Sequence, residues 1–184
     1  MKWMLALAVL GIVLLPELAA AQTVDYAKSE ITFTGKQMGV PAHGRFRKFT
    51  AQIAFDPQKP DAAKAQVDVD LASIDTGMAE TDTEVKNKSW FNVPAFPAAK
   101  FVSTGFKQLG ADKFEAAGKL SIKGIAQDVR APFTVKTVGA TTTFEGSLVL
   151  LRLQFKVGEG VWGDTETVAN EVQVRFRFVT TASR

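Results

Sequence analysis

Apolar and polar residues alternate along most of this chain, and a period of two marks strands with one covered face rather than helices. Val67, Val69 and Leu71 alternate with Asp68 and Asp70. Phe114, Ala116, Gly118, Leu120 and Ile122 form one row, and Val129, Ala131, Phe133 and Val135 form another. The same pattern runs through Ile31, Phe33 and Gly35, through Phe144, Gly146, Leu148 and Leu150, and through Val172, Val174, Phe176 and Phe178. Two strands are less regular. Phe49, Ala51, Ile53 and Phe55 keep step but Phe46 does not, which predicts a bulge near Arg47 and Lys48. Between Lys100 and Leu109, Phe101, Ser103 and Gly105 face one way and Val102, Thr104 and Phe106 the other. The rows add up to about eight strands, a number that closes into a barrel.

Asp56-Pro57-Gln58-Lys59-Pro60, Gly110-Ala111-Asp112, Lys123-Gly124 and Gly139-Ala140 separate the rows as turns. From Met78 to Lys88 the alternation lapses, and Thr76 or Thr81 is placed to cap a short helix. Trp90, Phe91, Val93 and Phe96 follow among prolines, and four large apolar residues so close together need cover. The expected fold is all-β: a single antiparallel eight-stranded barrel with one short helix and loop near a barrel end, formed by residues 22–184 as one domain.

The leading residues read differently. Lys2, the thirteen apolar residues Trp3 to Leu15, Pro16 and then Ala19-Ala20-Ala21 have the layout of a cleaved signal peptide over residues 1–21. The run is too short to cross ~30 Å of hydrocarbon as a helix. The chain has no cysteine, so disulfides, thiolate metal sites and cysteine nucleophiles are excluded. Its net charge of +3 is spread along the sequence and is no footprint for nucleic acid.

Fourteen Phe stand against three Trp and a single Tyr, an inventory suited to a dry interior. A barrel of eight strands can be filled by its own side chains or can hold one ligand. Gly35, Gly105, Gly118 and Gly146 interrupt the inward rows, where small residues either let the wall bend or leave room inside. A hydrocarbon there would gain about 0.8 kcal/mol per buried methylene and would need few polar contacts.

Catalytic candidates are sparse. His43, the single histidine, lies in the Gly- and Pro-containing stretch Met38–Gly44 and reads as a surface or loop-fixing residue. Glu159, Asp164 and Glu166 flank Trp162 in a glycine-rich stretch and read as a solvated loop, and Glu80, Asp82 and Glu84 as the solvated start of the short helix. No glycine-rich phosphate loop and no GxSxG elbow is present. The expectation is a protein without catalytic residues or a metal site, and not an enzyme.

Several stretches, in order, carry a resemblance. They are Gly44-Arg45-Phe46 with Ile53-Ala54-Phe55-Asp56-Pro57, Val67 through Ser73-Ile74-Asp75-Thr76-Gly77, and Trp90-Phe91-Asn92 with Phe96-Pro97 and Phe101-Val102-Ser103-Thr104. Gly118-Lys119-Leu120-Ser121-Ile122-Lys123-Gly124 and Phe155-Lys156-Val157-Gly158-Glu159-Gly160-Val161-Trp162 complete the set. Together they resemble the YceI-like family over nearly the whole region after the leader. The resemblance implies a periplasmic, lipocalin-like barrel that holds polyisoprenoid chains, quinone-type tails or other long amphiphiles. It also implies association of some relatives with membrane cytochromes of the b561 type. Gln154 stands where the family usually has Asp, and Ala126 where it usually has Thr, both at polar positions.

The resulting expectation is a carrier or sequestering protein for an isoprenoid lipid, with no other cofactor and a homodimer left open. The tail would lie along Phe33, Phe49, Phe101, Leu120, Phe133, Phe144, Leu148 and Phe176, with Trp90, Phe91 and Phe96 closing one end. Two alternatives stand beside it: an accessory module for a b561-type cytochrome with a filled barrel, and an enzyme acting on a lipid or quinone through His43 or the Glu159–Asp164 loop.

Overall fold

A computed structural model of the chain describes residues 22–182, and the expected signal peptide lies outside them. The strands are β1 (Thr23–Val24), β2 (Glu30–Gln37), β3 (Val40–Phe46), β4 (Phe49–Ala54), β5 (Lys64–Asp70) and β6 (Ile74–Asp75), followed by helix α1 (Ala79–Glu84). Then come β7 (Ala98–Gln108), β8 (Lys113–Ile122), β9 (Ile125–Val138), β10 (Thr141–Leu151) and β11 (Glu171–Thr181). They form one sheet in the order β4-β5-β7-β8-β9-β10-β11-β2-β3-β6, with β1 beside β11.

Among the described residues the sheet has eleven strands rather than eight. Two are two-residue pieces, β1 and β6. The remaining surplus comes from the expected bulge at Arg47 and Lys48, which is a full break. Before it β3 pairs with β2, and after it β4 pairs with β5. The chain turns around Ser73, whose carbonyl accepts from the Arg47 N–H and whose hydroxyl accepts from the Lys48 N–H. Because β3 and β4 stand near opposite ends of the strand order and only two residues join them, the sheet must curl to bring its ends together. At the far end β1 closes the same seam: it pairs with Thr180 and Thr181 of β11, while Gln22 bridges to Ile53 of β4.

The stretch Met38–Gly44, expected as a loop around His43, is instead the turn of a β2–β3 hairpin and most of its second strand. Met38 and Gly39 form a two-residue turn with positive φ at both positions, so β3 starts at Val40 and takes in Pro41 and His43. The helix is real but short, ending at Glu84. Neither Thr76 nor Thr81 caps it. Met78 holds that position, and the Thr76 N–H and hydroxyl both donate to Asp82.

The core gathers at one end of the barrel. Phe55 meets Phe106, Phe114, Phe133 and Phe144 at ring separations between 5.1 and 5.6 Å, all edge to face, a favoured arrangement for aromatic pairs. Phe114 is 1% exposed.

Candidate functional site

Above that aromatic floor the barrel is hollow. A cavity of about 970 Å³ runs from Phe55, Phe106, Phe133, Phe144 and Phe178 to a mouth beside α1 and the β2–β3 hairpin. The inward rows of the long strands build its wall: Leu120 and Ile122 from β8, Leu148 and Leu150 from β10, Val172, Val174 and Phe176 from β11. Met38, Val40 and Met78 line the mouth and are also exposed, Met38 to 77%.

Gly44 and Gly118 shape the lumen by what lies against them rather than by leaving holes of their own. A Cβ on Gly44 would clash with the tip of the Phe33 ring, and one on Gly118 would clash with the Phe101 ring. In each case a phenylalanine of the neighbouring strand lies against the glycine. The ring is thereby kept on the wall instead of across the bore, a cross-strand cover of glycine by an aromatic.

Of the eight residues expected along the tail and the three expected to close one end, nine line this cavity: Phe33, Trp90, Phe91, Phe101, Leu120, Phe133, Phe144, Leu148 and Phe176. Phe49 and Phe96 do not. Phe49 faces inward but packs edge-on against Tyr26 and Phe178, and it is Phe178 that meets the lumen. Phe96 lies on Gly124 in the β8–β9 turn, away from the bore.

The polar lining is concentrated at the mouth. Trp162 donates from Nε1 to Glu84 at 3.0 Å, and its ring centroid is 5.6 Å from that of Trp90. Glu84 is therefore a partner of the site rather than a solvated helix residue. Arg152, 4% exposed, follows β10 and directs all its donors into the 155–170 loop. Nε donates to the Ala169 carbonyl, Nη1 to those of Val157 and Gly158, and Nη2 to those of Trp162 and Val168, at 2.7 to 3.0 Å. Burial pushes the guanidinium below its ordinary value.

The earlier catalytic candidates are held in local bonds. His43 Nδ1 lies 3.0 Å from the Thr34 hydroxyl on the exposed hairpin. Lys123 donates to Glu159 at 2.8 Å, and this bond holds the Glu159 carboxyl below its usual range. Asp164 is lowered too, first by the Glu166 N–H and then by the Thr167 hydroxyl.

A hollow antiparallel barrel with an aromatic floor and one wet end is a recurrent architecture, so the sequence decides which family this is. A model of the YceI-like domain matches residues 22–180. The chain belongs to the YceI-like family. It is similar to Burkholderia cenocepacia BcnA, with a TM-score of 0.84 and 46% identity over 86% of this chain and 99% of that one. It is also similar to a Saccharophagus degradans domain described as polyisoprenoid binding and implicated in plant cell wall breakdown, with a TM-score of 0.72 over 91% of this chain and 100% of that one. At 16% identity that likeness is one of fold alone. Among curated relatives, a UPF0312 protein of Azotobacter vinelandii is 39% identical over 87 residues, 47% of this chain and 45% of the relative. The match thus spans about half the length of that relative.

This YceI-like domain also uses residues that sequence reasoning missed. Phe106 lines the cavity because the register slips between Ser103 and Gly105, placing Phe101 opposite Leu120 and Phe106 opposite Ala116 on the same inward row. Arg152 and Trp162 form the wet end, and Phe46 joins the wall beside Phe33 at 5.5 Å.

Proposed function

We propose that this YceI-like protein binds a long-chain isoprenoid or similar amphiphilic lipid inside the barrel, as a periplasmic carrier or sequestering protein. The observation that carries the reading is the lumen of about 970 Å³ with apolar walls from floor to mouth. At the ~30 Å³ that a water-sized group takes in a liquid, it has room for roughly thirty carbons. Each buried methylene contributes about 0.8 kcal/mol, so a tail of about twenty carbons exceeds the estimated cost of association without help from hydrogen bonds. The description of the Saccharophagus degradans domain as polyisoprenoid binding is further support.

Support for holding the lipid rather than converting it comes from the three side chains weighed as catalytic candidates, each of which is bonded within the protein. His43 is bonded to Thr34, Glu159 to Lys123 and Asp164 to Thr167. His43→Gln is expected to leave lipid content unchanged. The periplasmic assignment rests on the leader read from sequence. Amino-terminal sequencing of exported protein should begin at Gln22.

The deciding experiment is native mass spectrometry of protein purified without detergent, followed by organic extraction. The expected result is a bound species with a long hydrocarbon chain. A homogeneous protein mass that also fails to take up an added isoprenoid would sink the reading.

A further inference from the structure

Phe106, Phe114, Phe133 and Phe144 come from β7, β8, β9 and β10, four consecutive strands of the sheet. The Phe55 ring lies within 5.6 Å of all four, edge to face each time. Neighbouring strands stand about 4.8 Å apart, so a ring seated in the wall reaches only the strands on either side of its own. A ring that meets four strands stands over the inner face of the sheet, across the bore.

Phe55 itself belongs to none of these strands. It is the first residue after β4 and is 5% exposed. Its backbone is pinned on both sides. The Ile53 carbonyl accepts from the Gln22 N–H at 2.9 Å, and the Phe55 carbonyl accepts from Gln22 Nε2 at 3.0 Å. Beyond it the Asp56 carboxylate accepts from the Gln58 N–H and the Asp56 carbonyl from the Lys59 N–H, closing a turn at Pro57. Phe55 lines the cavity, whereas Phe114, packed against it at 5.1 Å, is 1% exposed and lies outside the lining.

A hydrocarbon chain that enters at the mouth runs out of room at this ring. Carbons seated above it leave water and add to affinity, while carbons left outside the mouth add nothing. The distance from Phe55 to the mouth therefore fixes how many carbons count.

We propose that Phe55 is the stop on which the tail end rests, and that it sets the chain length the protein prefers. The inference rests on the lipid-holding reading above and adds to it a specificity-determining residue. Interiors are close-packed, so removal of the Phe55 ring frees space for about six chain carbons, roughly one isoprene unit.

The test uses protein stripped of resident lipid and a series of all-trans prenols, from farnesol upward, that lengthen by one isoprene unit at a time. Equimolar pairs of neighbouring length compete, and native mass spectrometry reads the ratio bound. Wild-type protein should favour the longer member by about tenfold or more at each step until the lumen is full, and then take both alike. In Phe55→Ala that limit should come one isoprene unit later. Phe114→Ala truncates the same ring type just behind the stop and should keep the wild-type limit. Photolabelling of wild-type protein decides the matter even if Phe55→Ala does not fold. A prenol with a diazirine at the end far from its hydroxyl should label Phe55 and the rings packed on it.

An unchanged limit in Phe55→Ala overturns the assignment while leaving the lipid reading intact. So does an equal shift in Phe114→Ala, a wild-type preference that rises at every step without limit, or a label found near the mouth. Binding of no prenol by wild-type protein removes the lipid reading itself, and this inference with it.

Discussion

Arg152 shows what one side chain can hold together. Its five bonds converge from carbonyls at 157, 158, 162, 168 and 169, so the loop that frames the mouth is organised around a single guanidinium. Arg152→Lys supplies three donors in the wrong geometry and Arg152→Met supplies none, leaving buried carbonyls unpaired. Each variant should lose about 3 kcal/mol or more in urea unfolding. Gly44→Ala tests the opposite kind of residue. The added methyl meets first the ring of Phe33, a movable side chain, and should drive it into the bore. Isoprenoid affinity should fall about tenfold, with a stability loss of about 1–3 kcal/mol. At this scale the sequence was only partly legible. The inward phenylalanines could be read from their alternation. Arg152 could not, because an arginine after an apolar row reads as the end of a strand and its partners meet only in the folded loop. Phe49 is expected along the tail because alternation gives a face, not a depth along the barrel, and Phe96 is expected to close one end because sequence says nothing of a loop residue that settles on a turn.

Among the elements, the corner between β3 and β4 decides the shape of the sheet. Asp75 of β6 accepts from Arg45 Nε at 2.8 Å and from Arg47 Nε at 3.0 Å, tying the residues on either side of Phe46 to one carboxylate. The bond from Arg45 is the main cause that holds the Asp75 carboxyl below its usual range, with the Gly77 N–H and Arg47 adding to it. The folded protein therefore prefers the charged carboxylate more than the unfolded chain does. This stabilisation is present above the ordinary aspartate value of about 3.9 and fades as the pH falls below it through the lowered folded value. Asp75→Asn should show a smaller loss of thermal stability than wild type when acidified below about pH 4. An identical acid dependence in the two proteins would remove Asp75 from that role. The long strands were legible from their rows, and the break at Arg47 and Lys48 was visible as a lapse in step at Phe46. The slip after Ser103 was not, because one extra residue reverses which side chains face inward and no composition marks it. β3 was hidden by Pro41, which is tolerated there because between Val40 and Gly44 that strand pairs only with β2.

For the molecule as a whole, the lumen is a property of the curled sheet rather than of any strand, and a filled core stands in the sequence reading as an alternative. Leu148→Trp, placed midway up the wall, should fill part of the bore. Isoprenoid uptake should fall more than tenfold while the thermal midpoint stays level or rises, since filling a void adds contacts. A large drop in the midpoint instead would mean that the space is not there. The cavity meets solvent beside α1 and the hairpin tip, while the phenylalanines at its far end are almost wholly covered. A guest must therefore leave by the way it came, withdrawing one carbon after another into water. Its dwell time should grow steeply with the number of carbons seated, so that the protein sorts chains by how long it retains them, even where their arrival rates are the same.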